Sequence, residues 1–333
     1  MHPNIHTLFT KEILAEVCCR FEIHADALEA LGGFESYIYS YEQHGKACIL
    51  RIGHSSHRDG SAVQGEAEFI DYLGANGIHV GRPVRDGNGN LVEVIPAEEG
   101  SFVAVVFEKV PGGAAAAENW IDGTLMHTLG RMVGRMHELA KDFQPSQERF
   151  RRLDWEDDNT IVMENIHNGL PADEAALVAS QYETLLAKAR ELPKDRDHYG
   201  LIHFDVHGGN FFVQDGEVYL FDFDDCMYSW FANDIAMVFY YGLMDFRDDP
   251  DTLTFLCKQF IAGYNEVSRF DPLWLEYIPA FLLLRNLDLY ARVHHDIPEE
   301  EWDWWCQRLV NGVCERRVSG APLLAVDFST LLD

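Results

Sequence analysis

Residues 201–225, LIHFDVHGGNFFVQDGEVYLFDFDD, contain the pattern that decides both the fold and the chemistry of this chain. Asp205 stands two residues after His203 and five before Asn210, and an apolar hairpin pattern then leads to Asp222. In phosphoryl transfer from a nucleotide, one carboxylate accepts the proton of the attacking hydroxyl, while a carboxamide and a second carboxylate hold Mg²⁺ on the phosphates. The spacing therefore predicts Asp205 as the catalytic base and Asn210 and Asp222 as metal ligands.

Composition is that of an ordinary globular protein large enough for two domains. The chain has 333 residues, of which 47% are hydrophobic and 24% charged, so each of two domains could form its own core. The formal net charge of -29 would repel nucleic acids and anionic lipids, so neither is expected as a partner. A cationic substrate would suit this acidity, but solubility is the simpler explanation.

Several features predict a cytoplasmic protein. The seven cysteines form no C-x-x-C pair, which is typical of reduced thiols. The first residues, MHPNIHTLFTKEIL, lack a basic segment followed by an apolar core, so we expect no signal peptide. No apolar run reaches the roughly 18 residues that a membrane span needs.

The distribution of strand and helix patterns predicts two parts, 1–110 and 111–333. Helical spacing over 7–31 is followed by two strands around a His-Gly turn at 44–45 and by a helix over 63–76. Strands are expected around the turn at 86–89 and over 101–110. After Pro111-Gly112-Gly113 the pattern becomes helical, and 142–172 reads as a loop with a short helix. The helices are predicted over 122–141, 173–191, 230–243, 251–267, 272–295 and 300–316.

The motifs resemble those of the aminoglycoside phosphotransferases, choline kinases and type II homoserine kinases. The sequence HFDVHGGN at 203–210 resembles the family's H-G-D-x-H-x-x-N loop, and FDFDD at 221–225 resembles its I-D-F/W-D motif. The resemblance covers roughly residues 25–290. It implies a bilobal, protein-kinase-like α+β fold, with a small N-terminal lobe built on an antiparallel sheet and a larger helical C-terminal lobe. It also implies ATP and Mg²⁺ as cofactors and a small-molecule hydroxyl acceptor.

The resemblance assigns roles within the catalytic loop. Asp205 would orient the acceptor hydroxyl and take its proton late, and Asn210 and Asp222 would bind Mg²⁺ through oxygen ligands. His203 and His207 would support the loop geometry. Separately, Asp234 would anchor the backbone of the loop, while Asp224 or Asp225 would assist with metal or substrate.

The resemblance also assigns nucleotide-binding residues in the N-terminal part. The stretch LGGFES at 31–36 resembles the phosphate-covering loop and includes Gly33 and Ser36. Arg51 stands where relatives have a lysine or arginine that contacts phosphate, and Glu66, with Glu68 as the competing choice, would pair with it. The stretch FEKV at 107–110 resembles the hinge that binds adenine through its backbone, and it includes Glu108 and Val110.

Two positions depart from the family pattern. Phe204 replaces the usual glycine after the first histidine, where an aromatic ring could narrow the acceptor site or pack in the core. Ser36 stands where relatives often have asparagine. Neither change removes a group that phosphoryl transfer requires.

Three polar or aromatic clusters have open interpretations. Trp302, Trp304 and Trp305 could line a substrate pocket, but a core position or packing at a helix end is the preferred interpretation. Residues 285–288 place Arg, Asn and Asp in an apolar helix, which suits a cleft or a satisfied interior network equally. Tyr240, Tyr241 and Asp245 are open in the same way.

Three functions therefore compete. The leading hypothesis is a kinase that phosphorylates a hydroxyl of an amino alcohol, an amino sugar or a related metabolite. The alternative is a metal-dependent hydrolase with His203, Asp205 and His207 as ligands for Zn²⁺ or Mn²⁺, which leaves Asn210 and Asp222 unexplained. A further alternative is a catalytically silent nucleotide-binding module.

Overall fold

The computed structural model describes residues 3–33, 35–319 and 321–332 and divides them into two compact units. Phe34 of the predicted phosphate-covering loop, and Met1 and His2 of the N-terminal segment, lie outside the described residues. The first unit comprises the described residues up to Gly113 together with Asp142–Arg152 and Phe212–Asp224. The second comprises Ala114–Lys141, Leu153–Phe211 and the described residues from Asp225 onward.

This division differs from the predicted one, because two later segments belong to the first unit. Phe143 and Phe223, one from each segment, both pack on Phe69, with ring centroids 5.0 and 6.0 Å away. The apolar contacts thus join parts of the chain that are distant in sequence.

The strands and helices alternate along the chain as follows. The strands are β1 (Glu29–Gly32), β2 (Tyr37–Gln43), β3 (Lys46–His54), β4 (Pro83–Val84), β5 (Val92–Pro96), β6 (Ser101–Glu108), β7 (Tyr199–Ile202), β8 (Phe211–Gln214), β9 (Glu217–Leu220) and β10 (Met227–Trp230). The helices are α1 (Pro3–Leu8), α2 (Lys11–Arg20), α3 (Gly60–Ala75), α4 (Ala117–Ile121), α5 (Thr124–Ala140), α6 (Trp155–Gly169), α7 (Ala172–Ala189), α8 (Phe231–Leu243), α9 (Pro250–Asn265), α10 (Trp274–Asp296) and α11 (Trp304–Ser319).

The first unit is built on an antiparallel sheet in which β1, β2, β3, β6 and β4 are neighbours in that order, and β5 also pairs with β6. The predicted strands around the His-Gly turn are confirmed as β2 and β3. His44 and Gly45 both have positive φ, 53° and 75°, as a two-residue hairpin turn requires. Strands β4 and β5 flank the predicted turn at 86–89, but both pair with β6 rather than with each other.

The helices of the first unit follow the sequence pattern in part. Helix α3 is confirmed: the Asp59 side chain caps its start by accepting from Ala62 N at 2.8 Å, and the helix ends at Ala75 with Asn76 as its C-cap. The helical spacing over 7–31 is interrupted, since α2 ends at Arg20 and Glu22 has a φ of 55°. The strand β1 follows, where the sequence pattern had predicted continued helix.

The second unit is mainly helical, and its central helix is α10, which packs against α6, α7, α8 and α11. The expectation of a loop with a short helix over 142–172 is wrong, because α6 runs for 15 residues. Asp154 caps α6 in a reciprocal capping box with Asp157. The buried face of α6 includes Asp158 and Asn159, and these polar residues conceal the apolar periodicity.

Strands β7 and β10 pair antiparallel in the second unit, and β8 pairs with β9. The residues between β7 and β8 form the loop that carries the predicted catalytic motif. In the described part of the chain, no helix is long and apolar enough to cross a membrane.

Candidate active site

The predicted catalytic loop is fixed by a buried aspartate at the start of α8. Asp234 Oδ1 accepts from Phe204 N at 2.8 Å, and Oδ2 accepts from His203 N at 3.4 Å. His137 Nε2 lies 3.0 Å from Asp234 Oδ2. The predicted anchoring role of Asp234 is confirmed, since its carboxylate satisfies backbone donors that burial would otherwise leave unpaired.

The two histidines of the loop support its turns through their Nδ1 atoms. His203 Nδ1 accepts from Asp205 N at 3.2 Å, and His207 Nδ1 accepts from Gly209 N at 2.9 Å. The predicted supporting role is therefore confirmed for both. Because Nδ1 of His207 accepts a hydrogen bond, its Nε2 carries the proton of the neutral ring.

Phe204 has a φ of 70°, in the left-handed region that favours glycine. This conformation explains why glycine is common here among relatives, and a non-glycine residue adopts it at a cost of roughly 1–3 kcal/mol. The Phe204 side chain is buried, and the Arg285 guanidinium lies 5.0 Å from its ring centroid. The aromatic ring therefore packs in the core beside the site.

The Asp205 carboxylate is held by three donors within the second unit. Arg285 Nη2 donates to Oδ1 at 3.0 Å, Asn210 Nδ2 donates to Oδ2 at 3.0 Å, and His207 Nε2 lies 3.3 Å from Oδ2. Burial raises the pKa of Asp205, but the hydrogen bond from His207 and the charge of Arg285 outweigh it, so the pKa lies well below its usual value. Asp205 is thus an oriented, ionised carboxylate at neutral pH.

The orientation of the Asn210 carboxamide follows from its neighbours. Its nitrogen faces the Asp205 backbone carbonyl and Oδ2, both at 3.0 Å. Both of these atoms only accept hydrogen bonds, so the group that faces them must be the NH₂. The carboxamide oxygen is therefore directed elsewhere, and it is the type of hard ligand that Mg²⁺ prefers.

The contact of Arg285 with Asp205, and the link through Arg285 to Tyr241, were not predicted. Arg285 projects from α10, donates to Tyr241 Oη at 2.8 and 3.1 Å, and donates to Asp288 Oδ2 at 2.8 Å. Of the two outcomes left open for residues 285–288, the interior network is confirmed, since it is buried, and it also reaches Asp205. That these residues face a cleft stays a prediction. The cluster of polar residues in an apolar helix was the only sign of this network in the sequence. The contact with Asp205 was not predictable from it, because the two residues are 80 positions apart.

In the first unit, the predicted ion pair between Arg51 and Glu66 is present. Arg51 on β3 donates from Nη2 to Glu66 Oε2 on α3 at 2.5 Å, and both side chains are buried. Burial raises the pKa of Glu66 against the opposing charge of Arg51. Glu66 Oε1 is buried without a hydrogen-bond partner in the part of the chain described. Glu68, the competing choice, instead accepts from Ser146 N and Oγ at 2.8 and 2.6 Å.

The carboxylates of the second motif also surround Arg51. Arg51 Nη1 lies 3.9 Å from Asp222 Oδ1 and 3.7 Å from Asp224 Oδ1. Asp224 is tightly held, with its Oδ2 2.7 Å from His57 Nε2. Burial raises the pKa of Asp224, but His57 and Arg51 lower it well below its usual value. The Asp222 side chain is 53% exposed, so its carboxylate is the accessible one.

The remaining nucleotide-site candidates, Gly33, Ser36, Glu108 and Val110, lie at the ends of strands of this sheet or in the segments next to them. Gly33 has a φ of 145°, and a Cβ there would lie 2.1 Å from the Ser36 carbonyl oxygen, so only glycine fits this turn between β1 and β2. Glu108 ends β6, and its N–H donates to the Arg82 carbonyl at 2.8 Å. Among the residues that the structure describes, no acceptor faces the N–H of Val110, which leaves a donor where the hinge was predicted.

A pocket of about 220 Å³ lies within the second unit, beside Tyr241. Trp304 and Trp305 line it with 68% and 39% of their surfaces exposed. Both residues stand at the start of α11 and are too exposed for a core position, but Arg308 lies 5.1 Å from the centroid of the Trp304 ring, so packing at a helix end is retained for Trp304. That the pocket binds a substrate stays a prediction. The Trp302 ring lies 4.9 Å from that of His294, as packing predicts.

The alternative metal site finds no support in the geometry. Over residues 3–33, 35–319 and 321–332, no group of three His, Cys, Asp or Glu side chains is arranged to hold a metal ion. His203 and His207 use their Nδ1 atoms to accept backbone hydrogen bonds. These histidines thus act within the loop rather than as a ligand set.

Known proteins resemble this chain over most of its length. It is 34% identical to amicoumacin kinase of Bacillus subtilis (strain 168) over 343 residues, which covers 100% of this chain and 99% of that protein. The solved structure of amicoumacin kinase hAmiN in complex with AMP-PNP, Ca²⁺ and Ami has a TM-score of 0.91 and 29% identity, and the match covers 99% and 100% of the two chains.

A microcompartment-associated aminopropanol kinase shares the fold, with a TM-score of 0.74, 21% identity and coverage of 93% and 98%. These likenesses confirm the predicted protein-kinase-like α+β fold. Kinases of this kind use ATP with a divalent cation. The model of the phosphotransferase enzyme family matches residues 26–277, close to the predicted span. The chain therefore belongs to the phosphotransferase enzyme family and is a small-molecule kinase.

Proposed function

We propose that this chain transfers the γ-phosphoryl group of ATP to a hydroxyl of a small molecule and that Asp205 receives the hydroxyl proton. The observation that carries the proposal is the Asp205 carboxylate itself. It is ionised, oriented by Arg285, Asn210 and His207, and placed on a loop that Asp234 fixes.

The proposed reaction is a direct displacement. The acceptor oxygen forms a bond to the γ-phosphorus, while the bond between that phosphorus and the bridging oxygen breaks and its electron pair leaves with ADP. The hydroxyl proton passes to Asp205 and then to solvent. Because the pKa of Asp205 is lowered, the carboxylate is a weak base. It therefore orients the hydroxyl first and accepts the proton late, as a loose transition state permits.

Asn210 and Asp222 are the proposed ligands for Mg²⁺. Their side chains offer a carboxamide oxygen and an accessible carboxylate, which fit the oxygen preference of this ion. When bound, the ion would neutralise charge on the phosphates. Asn210 has a second function in the proposal, since its NH₂ group holds Asp205 Oδ2.

Nucleotide binding is assigned to residues of the first unit. Arg51, held by Glu66, would donate to phosphate oxygens. The turn containing Gly33 and Ser36 would cover the phosphates with its backbone N–H groups. At the end of β6, the backbone of Glu108 and Val110 would hydrogen-bond adenine, and the unpaired Val110 N–H supports this assignment.

The acceptor class follows from the relatives. Their names specify amicoumacin and aminopropanol as substrates of those proteins. We assign an amino alcohol, an amino sugar or a related metabolite with a free hydroxyl to this chain, and amicoumacin is the first compound to test.

The test is acceptor-dependent ADP formation by the purified chain with Mg²⁺ and ATP. Amicoumacin, aminopropanol and a panel of amino sugars would each be added. We expect one compound class to accelerate ADP release and to gain a phosphoryl group by mass spectrometry. Asp205→Asn should lower kcat about 10²–10⁴-fold while the Kd for ATP stays the same, because a general base contributes about this much.

Asp215→Asn provides the matched control, because Asp215 is exposed on the turn between β8 and β9. It should leave kcat unchanged. An Asp205→Asn variant as active as the native chain would refute the assignment of the base. ATP binding with no ADP formation from any acceptor would favour the silent module. Tightly bound zinc with acceptor-independent hydrolysis would favour the hydrolase.

A further inference from the structure

The pocket beside Tyr241 has the opposite charge to the molecule that contains it. The whole chain carries a formal charge of -29, yet three arginines and one aspartate line this pocket. They are Arg247, Arg308, Arg316 and Asp245. A local excess of cations in so acidic a chain points to a specific ligand, because solubility does not require it.

The arginines of the pocket differ in their partners. Arg308 Nη1 forms an ion pair with Asp245 at 3.0 Å, so its charge is balanced. Among the residues that the structure describes, Arg247 pairs only with Asp248, at 3.4 Å from its Nε, and that side chain is 89% exposed. Arg316 donates to the Asn286 carboxamide oxygen, and no carboxylate pairs with it in the described part of the chain. Within the described residues, the positive charges of Arg247 and Arg316 are thus balanced weakly or not at all by carboxylates.

Arg247 and Arg316 also lie close to each other. A Cβ built at Gly312 would be 3.2 Å from Arg316 Nη1 and 3.6 Å from Arg247 Nη1. Burial lowers the pKa of Arg316, and the charge of Arg247 lowers it further against the opposing effect of Tyr240. Two neighbouring cations repel each other, and an anion between them would remove that cost.

Adjacent residues connect this cation pair to the catalytic base. Tyr241 and Arg285 form the network that reaches Asp205. Their neighbours on the same two helices, Tyr240 before Tyr241 and Asn286 after Arg285, form the network that reaches Arg316, with Asn286 Nδ2 donating to Tyr240 Oη at 3.1 Å. The pocket is therefore lined by residues that are adjacent in sequence to, or part of, the network around Asp205. This position suits it to hold a part of the acceptor that is remote from the reacting hydroxyl.

We propose that the acceptor carries a carboxylate, which Arg316 and Arg247 bind in this pocket. The inference rests on the proposed function, because it takes the pocket as part of the acceptor site. It adds an anionic group to the acceptor, and such a group is compatible with an amino group in the same molecule. Guanidinium groups suit a carboxylate because their planar donors can form two parallel hydrogen bonds to it.

The test compares two probes of equal size that differ in charge, benzoate and benzamide. An aromatic probe suits the pocket because Trp304 and Trp305 line it. Binding to the full chain is measured without ATP, by calorimetry and by tryptophan fluorescence. We expect benzoate to bind at least tenfold more tightly than benzamide and its affinity to fall as salt rises.

Arg316→Gln and Arg247→Gln should each weaken benzoate binding about tenfold and leave benzamide unchanged. Arg269→Gln is the matched control, since Arg269 is exposed in the same unit and does not line the pocket. Equal affinity for the two probes, no benzoate binding, or native affinity in both variants would overturn the inference. Since no phosphoryl transfer is involved, this result is independent of the Asp205→Asn test of the proposed function.

Discussion

Arg51 in the first unit and Arg285 in the second are both buried arginines beside carboxylates of the proposed site, but they use their donors differently. Arg285 makes four hydrogen bonds, to Tyr241, Asp288 and Asp205. Within the described residues, Arg51 makes one, to Glu66, while Asp222 and Asp224 stay 3.9 and 3.7 Å away. A saturated guanidinium positions its neighbours, whereas one with donors to spare can bind a ligand.

The comparison therefore supports the proposed roles of Arg285 in positioning Asp205 and of Arg51 in binding phosphate. The two roles differ in what a substitution should change. Loss of Arg285 should alter the chemical step and the titration of Asp205. Loss of the support for Arg51 should alter the affinity for ATP.

Arg285→Met should have the largest effect. Removing one partner of a buried ion pair costs about 3–5 kcal/mol of unfolding free energy, and misplacement of Asp205 should lower kcat about 100-fold. Arg285 lowers the pKa of Asp205, so its loss should raise that pKa and move the acidic limb of the kcat profile to higher pH. Urea unfolding and a pH series of kcat measure both effects.

Arg292→Met is the control for this prediction. Arg292 Nε donates to Asp288 Oδ1 at 2.8 Å and is not a contact of Asp205. The Arg292→Met variant should lower the free energy of unfolding and leave the pH dependence of kcat unchanged. If both variants shift kcat and its acidic limb equally, the positioning role of Arg285 is wrong.

Glu66→Gln should have an intermediate effect, confined to the nucleotide. The variant weakens the charge-assisted bond that orients Arg51, and such bonds contribute about 1.5–3 kcal/mol. We expect the KM for ATP to rise roughly tenfold with a smaller change in kcat. The same substitution two residues further on α3, Glu68→Gln, should change the KM less than twofold. Equal effects of the two changes would contradict the assignment of Arg51.

The last prediction concerns Asp158, a buried acid of the second unit whose substitution should change stability rather than activity. Burial, followed by the charge of Asp288, raises the pKa of Asp158 to about 6, while Arg292 opposes the rise and Asp225 adds to it. The native state then binds more protons than the unfolded state between about pH 4 and 6, so stability falls as pH rises through this window. Above about pH 6 Asp158 is ionised in both states, and the full loss of unfolding free energy applies.

Asp158→Asn should remove this dependence. At pH 7 it should raise the unfolding free energy by up to about 3 kcal/mol, and at pH 4 it should change little. Asp154 is a poor control because it caps α6, so Asp173→Asn on the exposed start of α7 serves instead. A native-like slope between pH 4 and 6 in Asp158→Asn would show that another group titrates there.

The sequence predicted best where contacts are local. The loop from His203 to Asn210 and the β2–β3 hairpin depend on residues that are close in sequence, and both were predicted. The pairing of Arg51 with Glu66, 15 residues apart, was implied by the family resemblance. The loop and the hairpin are set by turn chemistry and by strand and helix periodicity.

The sequence predicted poorly where polar residues are buried or contacts are distant. Helix α6 was missed because Asp158 and Asn159 occupy its buried face, which breaks the apolar pattern. The contact between Arg285 and Asp205 depends on how α10 packs, which no local pattern records. Arg316 and Arg247 in the pocket were missed for the same reason.

The anchoring of the catalytic loop by Asp234 has a consequence for how the enzyme fails on heating. Asp234 lies on α8, accepts from the loop backbone, and contacts His137 on α5, which in turn reaches Tyr264 on α9 at 3.0 Å. All of these side chains are almost fully buried. Local fraying of the loop alone would break this shared network, so the loop and the helical core should open together in one cooperative event. On heating, activity should therefore be lost at the same temperature at which the helical unit unfolds, and not at a lower one.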